Sequence, residues 1–266
     1  MASTTGIPER PPAAAQDETL RPNGSENEPL LGRPGDVVQR RGASFAKNLI
    51  MGTGSVAQLG AVILLVVVWA SVLTKPLMLF SAHPLLQSLA VFVLIQSVLA
   101  LQPTSTAEQK RLGQRVHATL NLVALLHLIA GVTVIEYNKF ASHGPHFHSV
   151  HGYLGVIVSL LLVLQYLVGF TMWATPQLYG GDQKARAVWK YHRYSGYLVL
   201  LFLLATICSA AKTDYGAKVL DLKLWATVLA SVLIVAGVFP RIQKQKLGLA
   251  SSSGAHETPR PRFSAQ

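Results

Sequence analysis

Apolar residues gather into six long runs, roughly 55–74, 83–101, 117–135, 151–173, 192–210 and 224–239. Each is close to the ~20 residues that an α-helix needs to cross a bilayer. Polar breaks separate the runs and hold chain-turning residues: Thr74-Lys75-Pro76, Gln102-Pro103, Gly180-Gly181 and Pro240. The pattern predicts an all-α membrane protein with six transmembrane helices and one membrane domain over 47–243. Residues 1–46 and 244–266 are polar and proline-containing, without periodic apolar positions. They are predicted to be disordered cytoplasmic tails. Within the first, Glu28-Pro29-Leu30-Leu31 resembles an acidic dileucine sorting signal.

Histidine punctuates the middle four runs. His83, His117, His151 and His192 each stand at the start of one, at spacings of 34, 34 and 41 residues. One spanning helix plus a loop takes about that length. Each histidine is therefore placed at the N-terminal end of its own helix. His83-Pro84 fits this, because proline is favoured in a helix's first turn. Consecutive helices run in opposite directions, so His83 and His151 fall at one face of the membrane and His117 and His192 at the other. A central four-helix bundle would let each pair meet across its interior. Two imidazoles at one depth suit axial ligation of a b-type haem. Ionisable residues inside membranes mark function by default.

Three other uses of these histidines stay open at this point. They could carry protons, carry metal ions, or only pack in a haem-free structural protein. Metal transport would call for acidic partners, and the central runs contain almost no Asp or Glu. His127 lies ten residues after His117, about 80° off its face, and is read as a packing or supporting residue.

Composition agrees with a membrane protein: half of the 266 residues are hydrophobic and 13% charged. The net charge of +11 could suggest nucleic acid, but the cations sit in short loops beside the apolar runs. Arg40, Arg41, Lys47, Lys110, Arg111, Arg115, Lys184, Arg186, Lys190, Arg193, Arg241, Lys244 and Lys246 flank one side; Lys75, Lys139, Lys212, Lys218 and Lys223 flank the other. The positive-inside rule places the richer side, with both termini, in the cytoplasm. No nucleic-acid partner is expected, and lipid is. The single cysteine, Cys208, excludes an iron–sulfur cluster and a Cys-x-x-Cys-His haem attachment within these residues.

Four motifs in order carry a family resemblance: Phe80-Ser81-Ala82-His83-Pro84-Leu85, Val116-His117-Ala118-Thr119-Leu120-Asn121, Ser149-Val150-His151-Gly152-Tyr153-Leu154-Gly155 and Tyr191-His192-Arg193-Tyr194-Ser195-Gly196. With the six-run hydropathy they span roughly 50–240, and the chain resembles the cytochrome b561 family of transmembrane electron carriers. The resemblance implies two haem b groups, ligated by His83–His151 and His117–His192. It implies electron transfer from cytoplasmic ascorbate to monodehydroascorbate or ferric iron, as a chelate, across the membrane. It further implies an endomembrane (vacuole, endosome or ER) or plasma-membrane location, and homodimers are frequent in the family. Two positions depart from the pattern. His151-Gly152-Tyr153 stands where His-Ser-Trp is usual, and Gln114 stands where ascorbate-binding members often carry lysine; Lys110 matches a second lysine of that pattern.

Ascorbate is an anion near neutral pH, and cations beside the cytoplasmic haem would hold it. Lys110, Arg115, Lys190 and Arg193 are the candidates, with Arg111, Lys184 and Arg186 nearby. Arg115 and Arg193 neighbour the histidines in sequence and could pair with haem propionates. On the other face, His143, His146 and His148 are close together in sequence and could seat a metal acceptor; His148 is also a rival of His151 as ligand. Gly152, Gly155, Gly169 and Gly196 could let the macrocycle lie near backbone.

Overall fold

The computed structural model describes residues 37–247. Six α-helices run alternately up and down: α1 (Gly54–Leu73), α2 (Ala82–Leu101), α3 (Ala107–Ala141), α4 (Val150–Ala174), α5 (Asp182–Ala210) and α6 (Leu224–Val238). No strand occurs among the described residues. All six helices are long and apolar enough to cross a membrane, α6 together with the short turn that follows it. The sorting-signal resemblance at Glu28-Pro29-Leu30-Leu31 lies outside the described residues.

Two helices begin well before their apolar runs. α3 starts at Ala107, where the Thr106 hydroxyl accepts the Gln109 N–H at 3.2 Å and Gln109 Oε1 accepts the Thr106 N–H at 3.3 Å. This reciprocal cap ties down two N–H groups that would otherwise lack partners. α5 starts after Gly180 and Gly181, whose φ angles of 83° and 103° are open to glycine and costly for other residues. His117 and His192 thus sit ten residues past the first residue of α3 and α5, about 15 Å along the axis. The expectation that all four histidines stand at helix N-termini holds for His83 and His151 and is corrected for these two. An apolar run ends where the membrane ends; backbone hydrogen bonding continues into water.

Helices adjacent in sequence pack side by side, and α6 closes back on α1. α1 and α6 approach through small residues. A Cβ added to Gly60 would come within 2.7–2.8 Å of Ala230 O, Ile234 N and Leu233 Cβ, and one at Gly237 would overlap Ala57. Small residues permit this close packing, the main source of helix affinity in lipid. Ala57, Ala61, Leu64, Ile95, Leu99, Leu203, Ala230 and Ile234 belong to the main buried cluster.

The chain's two described ends meet on one side of the bundle, here the terminal face. Residues from both expected tails make contacts there. Gln39 is buried and its N–H bonds Pro103 O at 2.8 Å. Asn48 Nδ2 donates to Gln39 Oε1 and to Ala100 O, both at 3.0 Å. Gln243 Nε2 reaches Val37 O at 3.0 Å, and Lys246 Nζ caps Gln102 O and Thr104 O at 2.8 and 2.7 Å. Polar side chains fold back here because the ends of α2 and α6 leave carbonyls without helical partners.

Candidate functional site

Each of three histidines directs its Nδ1 to a carbonyl on a neighbouring helix. His83 on α2 meets Gly131 O on α3 at 2.9 Å, and His151 on α4 meets Thr206 O on α5 at 2.9 Å. His117 on α3 meets Ser97 O on α2 at 3.2 Å and the Ser97 hydroxyl at 3.0 Å. A carbonyl only accepts, so Nδ1 carries the proton and Nε2 keeps its lone pair. The acceptors come from neighbouring helices, so each bond also clamps a helix pair. Asn121 extends the third contact, donating to Ser97 Oγ at 2.7 Å and to His117 O at 2.6 Å. His192 Nδ1 and Gln102 Oε1 are buried without partners among the described residues.

The pairing across the bundle follows. His83 and His151 rings have centroids 6.1 Å apart and planes at 83°. Two imidazoles gripping one first-row metal ion from opposite sides, with metal–nitrogen bonds of about 2 Å, have centroids about 6 Å apart. The geometry therefore fits a bis-histidine metal centre. Phe80 stacks on His83 at 5.9 Å, and Tyr215 meets Phe80 edge-on at 4.3 Å, closing that side. Gly155, one turn beyond His151, faces open space: an added Cβ would touch nothing within 4 Å.

His117 and His192 line one large cavity on the terminal side, between α2, α3, α4 and α5. Leu94, Leu125, Leu128, Leu162 and Leu203 make its apolar wall; Lys110, Gln114, Arg193, Arg241 and Lys246 make its polar end. An apolar slot with a cationic rim suits a flat apolar group bearing carboxylates, which is the character of haem. Gly169 lies against the His192 ring: a Cβ there would be 2.8 Å from Cε1. Gly196 is pressed by Gln165 Nε2 at 2.9 Å.

The model of eukaryotic cytochrome b561 matches residues 82–215, half of the chain, and this stretch contains all four paired histidines. The chain belongs to the cytochrome b561 family. The plasma membrane ascorbate-dependent reductase CYBRD1 of Mus musculus is 33% identical over 136 residues, covering 48% of this chain and 44% of that protein. The transmembrane ascorbate-dependent reductase CYB561 of the same species is 26% identical over 168 residues, covering 60% and 66%. The chain thus spans less than half the length of the first relative.

Within this cytochrome b561 frame the remaining candidates separate. Lys110 and Arg193 line the cavity; Arg115 and Lys190 do not, and both are exposed. Lys190 lies over the Tyr191 ring instead, 4.9 Å from its centroid. This placement has a simple cause: a residue two before a histidine points about 200° away on a helix. His148 is exposed and bonds Pro145 O at 3.0 Å, whereas His151 faces His83 across the bundle. His143, His146 and His148 do not converge, and no group of three metal-ligating side chains occurs among the described residues. His146 pairs with Glu136 at 3.2 Å, folding the loop back on α3. His127 bonds its own helix at Val123 O, 2.7 Å away. Ser97 was not legible as a partner of His117 because it reaches the ring from a neighbouring helix; Arg241, Tyr197 and Gln102 line the cavity through packing that the sequence does not mark.

Proposed function

We propose that the chain is a transmembrane ascorbate-dependent oxidoreductase of the two-haem type. Ascorbate on the cytoplasmic, terminal face is the donor, and monodehydroascorbate or a ferric chelate on the opposite face is the acceptor. His83 and His151 hold one haem b; His117 and His192 hold the other. The pairing of four histidines, two per face, with three Nδ1 atoms held by carbonyls, carries this reading. Relatives named as ascorbate-dependent reductases support the donor.

When bound, haem supplies reversible one-electron chemistry, and two histidine ligands leave no position for oxygen. The chain's own residues do the rest. Gly131, Ser97 and Thr206 orient the ligand rings, a supporting role whose loss typically costs 10–100-fold in metal affinity, as an order of magnitude. Leucines exclude water from the cavity. Lys110, at the polar end of the cavity, attracts an anionic donor. The cation-rich flanks place the termini in the cytoplasm.

The test is an absorption spectrum of the purified protein with haem supplied during expression. Two haems per chain, reduced by added ascorbate, are expected. A colourless folded preparation refutes the reading.

A further inference from the structure

Among the described residues Arg241 is the most deeply placed cation: it is 1% exposed, just past the end of α6. Its Nη2 donates to Asn48 O at 2.6 Å and Leu99 O at 3.2 Å. Nε and Nη1 are buried with no hydrogen-bond partner among the described residues. No carboxylate among those residues pairs with it. A buried guanidinium with idle donors is costly, because a lone charge loses its hydration and gains nothing in return.

The surroundings are rich in further donors. Arg241 lines the His117–His192 cavity together with Arg193 and Tyr197. Arg193 Nη1 donates to Lys246 O at 2.5 Å. The Tyr197 hydroxyl accepts from Gln102 Nε2 at 3.2 Å, so its own hydrogen is turned to something else. Two guanidinium groups and a phenol on one cavity wall, with no acid between them, is a receptor for an anionic oxygen group.

We propose that Arg241, Arg193 and Tyr197 form a carboxylate site in this wall, occupied by the acidic edge of the haem that His117 and His192 hold. The inference rests on those histidines being haem ligands. A soluble acid such as ascorbate offers the same chemistry, and the experiment separates the two sources.

Redox titration of the full-length protein in detergent, with Arg241→Gln, Arg241→Lys and Tyr197→Phe, tests it. Arg241→Gln should lower the midpoint potential of one haem only, since a removed cation favours the oxidised form, and should speed loss of that haem about tenfold, the scale of a charged hydrogen bond. Arg241→Lys should restore most of the potential. Retention of the other haem shows that the variant folded. If Arg241→Gln loses both haems, Tyr197→Phe decides, because it removes a donor and no charge: a lowered potential of one haem supports the site. Unmoved potentials with a tenfold higher KM for ascorbate would overturn the haem assignment and give the site to the donor. No change in potential, haem retention or KM overturns the site itself, leaving Arg241 as a tie between Asn48 and Leu99. Retention of both haems in His117→Ala, by contrast, strikes at the ligand reading and not at this one.

Discussion

At the residue scale, the direction of each imidazole matters more than its presence. His151 has its Nδ1 on Thr206 O and its ring 6.1 Å from His83; His127 has its Nδ1 on its own helix. His151→Ala should therefore remove one haem of two and spare the other, while His127→Ala should remove neither; pyridine haemochrome counting checks both. Gly131 is a subtler test. Its carbonyl holds His83, and a Cβ at that position would come 2.6 Å from Gln87 Nε2. Gly131→Val should displace the carbonyl and weaken retention of the His83 haem about tenfold, read as haem loss under dilution. The four histidines were legible from spacing alone. Their acceptors were not, because a backbone carbonyl carries no sequence signature.

Elements show where hydropathy and hydrogen bonding part company. The apolar runs locate all six helices, yet α3 and α5 extend ten residues before the histidines that open those runs. The capped start of α3 is separable from the site. Thr106→Ala should cost about 1 kcal/mol of stability, the usual loss at an N-cap, without changing haem content; thermal unfolding followed by circular dichroism reads it. The α1–α6 seam is less forgiving. Gly237→Val would drive a side chain into Ala57, and overpacking of this kind costs about 1–3 kcal/mol or more. A lower unfolding temperature with both haems retained is the expected result, since neither helix carries a proposed ligand. The glycines of that seam stand in the sequence, but only the packing shows which backbone each one admits.

At the scale of the whole molecule, orientation joins the two faces into a pathway. With Cys208 replaced, single cysteines at Gln177 and Ser142 should label from opposite sides of sealed vesicles, the first from the cytoplasmic side. Labelling of both from one side would refute the six-span topology. An inside-negative potential of ~100 mV would then favour outward electron movement by about 2.3 kcal/mol per electron. The six spans were countable along the chain, and so were the cations and the helix parity from which the proposed orientation and histidine pairing are argued. These are properties of order in one dimension: run length, charge side and parity. The ring planes, the carbonyl acceptors, the absence of Arg115 and Lys190 from the cavity, and the presence of Arg241 within it were decided by folding. Helix rotation sets which side of a residue faces inward, and rotation is fixed by packing against neighbours that are distant in the chain.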